Sequence, residues 1–335
     1  MKRTAPQHHV LDTCRRLLAG LVLSGITLAG SNGVYANVDS RLPDYQRAPG
    51  VSGNLSSIGS DTLNNLMTLW AEEFNEFYPS VNVQIQGAGS STAPPALTEG
   101  TAMLAPMSRD MRRSEVQGFE ARHGYPPTAL PVAIDMLAVY VNRDNPIEKL
   151  SLPQIDAIFS ATRRCGYHED VIRWGQLGLT GSWANRDFAL YSRNAVSGTY
   201  GFFKDNALCG GDFKSSINEQ PGSSSVVQGV TESINGIGYA GIGYRTSGVR
   251  ALPIAVNERS TAYDATAENA ATGDYPLARY LYIYINKHPN RELDPLTREF
   301  VKMLYSKQGQ EVVHRDGFVT LPAVITERIL EQLGV

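Results

Sequence analysis

The sequence predicts an α/β protein with two domains. Segments typical of strands alternate along the chain with segments typical of helices, and this alternation predicts a mainly parallel sheet in each domain. About 300 residues remain once an N-terminal leader is set aside, which exceeds one ordinary hydrophobic core. We find no repeat with a period of about 20 to 50 residues and no low-complexity linker. The two domains are therefore expected to be compact α/β units.

Residues 1–36 have the features of a secretory signal peptide. Basic residues, among them Arg15 and Arg16, precede the apolar stretch LLAGLVLSGITLAG, and VYA at 34–36 fits a cleavage site. That stretch is shorter than the roughly 18 to 20 apolar residues of a membrane span, and no later segment approaches this length. Cys14 precedes the apolar stretch instead of ending it, so no lipid-anchor site is predicted. We expect an exported protein that is free of the membrane.

The charge balance argues against a nucleic-acid-binding protein. The chain has 30 Lys and Arg against 33 Asp and Glu, a formal net charge of −3. Loss of the basic leader would make the mature protein more acidic. Nucleic-acid binding usually needs a strongly basic surface, and no run of Lys or Arg is present.

Two cysteines follow the leader, Cys165 and Cys209. An even number in an oxidising compartment favours one disulfide between them, the alternative being two separate buried thiols. Such a bond would join both ends of the segment that contains residues 192–203.

Individual strands and helices can be assigned along the chain. The segments NVQIQG, LPVAIDMLAVYVN and YLYIYIN predict strands, the second of them long and buried. TLNNLMTLWAEEFNEFYP and LTREFVKMLYSKQGQEVV predict helices, and in the first of these the apolar residues recur at spacings of three and four. NERSTAYDATAENAATGD predicts a loop with a short surface helix.

Four segments connect a predicted strand to a predicted helix through small hydroxyl residues. They are SSIGSDTLNN, GAGSSTAPPAL, APMSRDM and SRNAVSGTYGFF, and their candidate residues are Ser60, Asp61, Thr62, Ser90, Ser91, Ser108, Arg109, Arg193, Ser197, Gly198 and Thr199. Each segment taken alone is explained by helix capping. Strand-to-helix loops of an open α/β sheet, however, gather at the carboxyl ends of the strands, where ligands bind.

Together the four segments predict a site for a small anion. Helix N-termini present free backbone N–H groups and the positive end of the helix dipole. Gly198 permits close approach of the backbone, and the hydroxyls supply further donors. Arg193 would add a planar fork of N–H donors that suits a tetrahedral oxyanion.

The order GSDT, GAGSS, SR, RNAVSGT and GIGYAGIGY resembles the periplasmic phosphate-binding proteins that serve ABC-type phosphate importers, the PstS-like solute-binding proteins. The resemblance covers roughly residues 50–330, and Arg-x-x-x-Ser-Gly-Thr is its most specific part. It implies a two-lobed periplasmic-binding-protein fold of type II, with a mixed sheet in each lobe and the ligand cleft between the lobes. Residues 50–133 with 280–335 would form the first lobe and residues 134–279 the second.

The resemblance also implies a ligand set. Matched by motif, the contact residues are Thr62, the backbone of Leu63, Ser90, Arg193, Ser197, Gly198 and Thr199. In the family an aspartate of the third loop accepts the proton of monohydrogen phosphate, and here Ser108 occupies that position. Asp61 either takes over the acceptor role or only caps the following helix. Arg109 either binds the anion or braces its loop.

The function implied is capture of inorganic phosphate in the periplasm and its delivery to the inner-membrane permease of an ABC importer, by a monomer without a cofactor. The alternatives are a binder of another tetrahedral oxyanion (sulfate or arsenate), a secreted phosphatase and an adhesion protein on the same fold. His123, His168, His288 and His314 have no metal-ligand spacing, and no G-x-S-x-G motif occurs. GIGYAG satisfies G-x-G-x-x-G but opens no predicted helix, so it favours a buried strand and turn over a dinucleotide site.

Overall fold

The computed structural model describes residues 38–335, and the predicted signal peptide, residues 1–36, lies outside them. The strands are β1 (Gly53–Ile58), β2 (Val81–Gln86), β3 (Ala105–Met107), β4 (Thr128–Asn142), β5 (Leu150–Ser151), β6 (Ala189–Arg193), β7 (Asn218–Gln220), β8 (Gly236–Gly241), β9 (Val249–Ala251), β10 (Ile254–Ala255), β11 (Ala262–Tyr263) and β12 (Ala278–Ile285). The helices are α1 (Asn64–Phe77), α2 (Ala93–Glu99), α3 (Arg113–His123), α4 (Leu152–Phe159), α5 (Gly198–Ala207), α6 (Ser223–Glu232), α7 (Ala267–Thr272), α8 (Pro295–Leu304), α9 (Lys307–Arg315) and α10 (Ala323–Leu333).

The long strand β4 connects the two halves of the main sheet. Its first part, Thr128 to Met136, pairs antiparallel with β12, and its second part, Leu137 to Val141, pairs antiparallel with β8. The resulting seven-stranded sheet has the order β3-β12-β4-β8-β6-β7, with β9 also paired to β4. Parallel pairs occur between β6 and β7, β6 and β8, and β1 and β2. The main sheet is therefore mixed and not mainly parallel as the alternation of elements predicted, because β4 and β12 form antiparallel pairs, whereas the two-stranded sheet of β1 and β2 is parallel.

Buried apolar side chains form two large clusters. The first core draws on residues 45–133 and 281–333, and the second core draws on residues 136–277 together with Val319. Strands β4 and β12 contribute to both cores, and the cross-strand partners Ala133–Leu281 and Ile134–Tyr280 lie where the chain passes between them. The division of the chain into lobes at these positions stays a prediction.

Several predicted elements are present, and one helix is divided. NVQIQG, LPVAIDMLAVYVN and YLYIYIN fall in β2, β4 and β12, and GIGYAG is β8, in which all 6 residues are buried. The segment LTREFVKMLYSKQGQEVV, predicted as one helix, is α8 followed by α9. Ser306 caps α9 by accepting a hydrogen bond from the amide of Gly309 at 3.3 Å. The prediction of a single helix is therefore wrong: the cap at Ser306 begins a second helix.

The predicted disulfide is present. Cys165 follows α4 and Cys209 follows α5, and their Cα atoms lie 5.4 Å apart, within the ordinary range for a disulfide. The bond joins the segment that follows α4 to the segment that follows α5, both of them next to the second core. Across residues 38–335, no helix combines the length and apolar character needed to cross a membrane.

Candidate anion-binding site

Five buried hydroxyls from four loops meet between the two cores. Ser60 and Thr62 follow β1, Ser90 follows β2, Ser108 follows β3, and Thr199 begins α5; each is at most 2% exposed. Ser108 Oγ lies 3.0 Å from Ser60 Oγ, 3.2 Å from Ser90 Oγ and 3.4 Å from Thr199 Oγ1. Thr62 Oγ1 lies 2.7 Å from Thr199 Oγ1. We call these five residues the hydroxyl cluster.

Gly198 allows the last loop to approach the hydroxyl cluster. A methyl group at this position would lie 2.3 Å from Ser90 Oγ and 2.7 Å from Ser108 Oγ, closer than the roughly 3.0 Å at which a Cβ atom can approach another atom. Ser197 precedes it as the N-cap of α5 and accepts a hydrogen bond from the amide of Tyr200 at 3.4 Å. The capping interpretation is thus correct for Ser197. The amides of Gly198 and Thr199, the first two residues of α5, have no partner within the helix, so they remain donors beside the cluster.

Arg193, at the end of β6, is buried and only partly saturated. Its Nη1 donates to Ser223 Oγ at 2.8 Å and pairs with Asp61 Oδ2 at 3.0 Å, and its Nη2 donates to the carbonyl of Pro221 at 3.0 Å. The side chain is 1% exposed. Nε is buried and, among the described residues, has no hydrogen-bond partner. Burial lowers the pKa of Arg193, and the Asp61 carboxylate acts in the opposite direction.

Asp61 links the first loop to residues on the side of the site that lies next to the second core. Its Oδ2 accepts hydrogen bonds from the amide of Ser223 at 3.0 Å and from Ser223 Oγ at 3.2 Å, in addition to the Arg193 pair. Helix α1 has no side-chain cap. The carboxylate of Asp61 is therefore directed to Arg193 and Ser223 and does not cap the helix that follows it.

Arg109 is engaged with its own loop. Its two terminal nitrogens form a bidentate pair with Glu115 at 2.8 and 2.7 Å, and Nη1 also donates to the carbonyl of Asp110 at 2.9 Å. Burial acts to raise the pKa of Glu115, but the hydrogen bonds from Arg109 and the Arg112 amide outweigh it, so this pKa is lowered. These contacts fasten the third loop to α3. Nη2 also donates to Ser91 Oγ of the second loop at 3.3 Å, and the buried Nε has no hydrogen-bond partner among the described residues, so both roles of Arg109 stay predictions.

Further residues at the site were not identified from the sequence. Arg279 of β12 donates to Thr199 Oγ1 at 2.8 Å and to the carbonyl of Ser108 at 2.7 Å, and it pairs with Asp135 of β4 at 2.8 Å. The hydroxyl of Tyr244 lies 3.0 Å from the carbonyls of both Asp61 and Thr62. Ser223 lies within PGSSS and begins α6, after a fifth loop of the type that defined the other four. A lone charge inside the apolar strand VAIDMLAVYV was the sequence signal for Asp135.

The electrostatics of the site are balanced before any ligand binds. Three buried guanidinium groups lie in or next to the hydroxyl cluster, and each is paired with a carboxylate: Arg193 with Asp61, Arg279 with Asp135 and Arg109 with Glu115. An anion at this position would consequently be held by hydrogen-bond donors at close range more than by net charge. The described residues contain no group of His, Cys, Asp and Glu side chains suited to a metal ion.

This combination of a mixed α/β fold with two cores and a donor-rich site between them defines a class, the two-lobed solute-binding proteins. Residues 46–308 match the family model described as a PBP superfamily domain. The chain is 56% identical over 321 residues to the phosphate-binding protein PstS of Pseudomonas aeruginosa, which covers 96% of this chain and 99% of that relative. It belongs to the PstS family of phosphate-binding proteins.

More distant matches are also named as phosphate-binding or phosphate-transport proteins. The phosphate-binding protein PstS of Bacillus subtilis is 28% identical over 269 residues, covering 79% of each chain. An ABC-type phosphate transport receptor from Vibrio cholerae has a TM-score of 0.61 at 25% identity, over 80% of this chain and 100% of that one. A structure from Clostridium perfringens with bound phosphate has a TM-score of 0.67 at 23% identity, over 80% and 100% of the two chains, and supports the fold. The protein has the two-lobed type II periplasmic-binding-protein fold.

Proposed function

We propose that this protein is an exported solute-binding protein that binds inorganic phosphate at the hydroxyl cluster and delivers it to the permease of an ABC importer. The sequence supports export through its signal peptide, and the relatives named phosphate-binding proteins support the ligand. Delivery follows from closure: an anion that bonds to loops of both lobes stabilises the closed form, and the permease recognises and reopens that form. The proposed location is the periplasm and the proposed state a monomer.

The observation that carries the proposal is the unpartnered Nε of Arg193. A buried N–H without an acceptor costs about 1 to 3 kcal/mol. An anion placed next to Arg193 would remove that cost and would also accept from hydroxyls that are now bonded to one another, to the Ser108 amide and to Arg279. The proposed ligand contacts are Thr62, the backbone of Leu63, Ser90, Ser108, Ser197, Gly198 and Thr199 together with Arg193.

Phosphate is favoured over sulfate by Asp61. Near neutral pH phosphate carries a proton and sulfate does not, so a carboxylate oxygen at the site accepts a hydrogen bond from phosphate and repels sulfate. Oδ2 of Asp61 has three donors, and no hydrogen bond joins its Oδ1 to another described residue. Oδ1 is therefore the proposed acceptor in place of the aspartate that Ser108 replaces.

The test is calorimetric titration of the mature protein with phosphate, arsenate and sulfate. We expect one phosphate per chain and weaker binding of sulfate. Arg193→Ala should weaken phosphate by about 3 to 5 kcal/mol, or roughly 100-fold to several thousand-fold, because it removes one partner of a buried charge pair.

Arg173→Ala is the matched control, since Arg173 forms an exposed ion pair with Asp187. Phosphate affinity of Arg193→Ala within threefold of the parent would exclude Arg193 from the site. The phosphatase alternative predicts turnover of a chromogenic phosphate ester in proportion to protein. We expect none, because no histidine of the described chain is hydrogen-bonded to the hydroxyl cluster.

A further inference from the structure

Arg279 bonds simultaneously to the third loop, the last loop and the strand β4. It is 3% exposed, and its guanidinium lies 5.0 Å from the ring centre of Phe202 in α5. Nη1 donates to the Ser108 carbonyl at 2.7 Å, and Nη2 donates to Thr199 Oγ1 at 2.8 Å. Ser108 follows a strand at the edge of the first core, and Thr199 begins a helix of the second.

The position of Arg279 is fixed from behind by Asp135. The two residues are direct cross-strand partners in β4 and β12, and Asp135 Oδ2 accepts from Arg279 Nε at 3.1 Å and from Nη2 at 2.8 Å. Asp135 Oδ1 accepts from the amide of Ile242 at 3.1 Å. Asp135 is fully buried. With both carboxylate oxygens engaged, the guanidinium has little freedom to turn away from Thr199.

The bond to Arg279 determines which way the Thr199 hydroxyl donates. A hydroxyl has one proton and two lone pairs, whereas a guanidinium only donates. Thr199 Oγ1 must therefore accept from Arg279, so its proton is directed elsewhere, toward Thr62 Oγ1, Ser108 Oγ or a bound anion. Hydrogen bonds in such a chain polarise one another, which makes a hydroxyl that accepts from a cation a stronger donor.

We propose that Arg279 is a positioning residue that acts on the ligand through Thr199: it holds the Thr199 hydroxyl as an obligatory donor to the oxyanion. This proposal rests on the proposed function, since it presumes an oxyanion at the hydroxyl cluster. Arg279 contributes to anion binding through its bonds to Thr199 and to the third loop, and Asp135 neutralises its charge. A donor hydroxyl serves phosphate and sulfate alike, so Arg279 sets affinity for both and Asp61 sets the preference between them.

The experiment is a set of double-mutant cycles measured by phosphate titration. Arg279→Gln should weaken phosphate and sulfate alike, by tenfold or more. In a Thr199→Val background, where no hydroxyl remains, the same change should cost less than threefold. In a Thr199→Ser background, which keeps the hydroxyl, it should again cost tenfold or more. Arg173→Gln, in an exposed ion pair, controls for loss of an arginine and should leave binding unchanged.

Arg279→Gln leaves Asp135 buried without its cation, so the cycles are also run with Asp135→Asn/Arg279→Gln, which removes both charges. Equal losses in the Thr199→Val and Thr199→Ser backgrounds would overturn the proposal, and so would a loss confined to phosphate. Failure of the parent to bind phosphate, arsenate or sulfate would instead refute the proposed function, and this proposal with it. Binding by the parent with no effect of Arg279→Gln refutes the positioning role alone.

Discussion

At the scale of single residues, the partner of a charged side chain decides its role. Asp61 and Arg109 stand in similar loops, each beside a hydroxyl residue before a helix, and the sequence left two roles open for each. The structure pairs Asp61 with Arg193, across the site, and pairs Arg109 with Glu115, within its own segment. A carboxylate that bridges both sides of the site is positioned to affect a ligand, whereas an arginine whose ion-pair partner lies in its own segment is positioned to brace that segment.

Asp61→Asn should lower the ratio of phosphate to sulfate affinity by tenfold or more. The change removes the proposed acceptor for the phosphate proton, and the new amide can donate to sulfate where the carboxylate could only accept. The change also removes the carboxylate that neutralises Arg193. The uncompensated arginine attracts phosphate and sulfate alike, so it does not restore the phosphate-to-sulfate ratio. Titration of both anions into the variant measures the effect.

Asp187→Asn is the control, because Asp187 is the exposed ion-pair partner of Arg173. An unchanged phosphate-to-sulfate ratio in Asp61→Asn, with only thermal stability reduced, would show that Asp61 is a structural ion-pair partner and that discrimination lies elsewhere.

At the scale of elements, the candidate site is formed by the ends of strands and helices together with the loops that join them. The helix α5 presents Thr199 at its first turn, and Cys209 follows its last turn in the bond to Cys165. This bond closes a loop with a sequence separation of 44 residues, which restricts the unfolded chain. It lies at the opposite end of α5 from the hydroxyl cluster, so its contribution should be to stability and not to binding.

Replacing both cysteines by serine should therefore lower the free energy of unfolding by about 2 to 4 kcal/mol, because the unfolded chain regains loop entropy. Phosphate affinity of the folded variant should stay within threefold of the parent. Denaturant unfolding of the two proteins gives the first quantity and titration gives the second. Mass spectrometry of the unreduced parent should show one cross-linked peptide; two freely alkylatable thiols would contradict the bond, and equal stabilities would contradict its contribution.

At the scale of the whole molecule, the two cores are held together by β4, β12 and contacts across the cleft. Besides the pairs at the site, the hydroxyl of Tyr244 bonds to the first loop. The backbone of Asp316 packs directly on Gly243, where an added methyl group would lie 2.6 Å from the Asp316 carbonyl oxygen. The Asp316 side chain accepts a hydrogen bond from Asn65 of α1. Burial raises the pKa of this carboxyl to about 6, with the Asn65 bond acting in the opposite direction.

This raised pKa predicts a pH dependence of global stability. Between pH 3.8, the ordinary value, and about 6, the folded state keeps a proton on Asp316 that the unfolded chain has lost. The unfolded state then binds fewer protons, so this group's contribution to stability is full below the ordinary pKa and is lost as the pH rises through the folded value. The full shift corresponds to about 3 kcal/mol, which partial exposure reduces to about 1 to 2 kcal/mol.

Asp316→Asn should consequently be more stable than the parent at pH 7.5, by about 1 to 2 kcal/mol, and should lose most of that advantage at pH 4. The asparagine can still accept from Asn65, so the bond to α1 is kept. Denaturant unfolding at the two pH values is the measurement, with Asp187→Asn as the control at an exposed position. A stability difference that does not vary with pH would show that Asp316 ionises normally in the folded state.

The sequence by itself determined the features that depend on neighbouring residues. Apolar residues at spacings of three and four predicted α1, and long apolar runs predicted β4 and β12. An even number of cysteines after the leader predicted the disulfide. The hydroxyl-rich strand-to-helix loops were found because helix caps use the same residue types that bind anions. Even the division of α8 from α9 has a local signal in Ser306, which the prediction of a single helix overlooked.

Only the tertiary structure decided which charges meet. Arg279 and Asp135 are 144 residues apart and become partners because the register of β12 against β4 sets them side by side. Asp61 reaches Ser223, 162 residues away, only when the loops of the two cores close on one another. Local sequence encodes burial, capping and turns within about one helical turn, since those energies involve neighbours in the chain. The partner of a buried charge depends on sheet register and on the packing of distant loops, which no local pattern records.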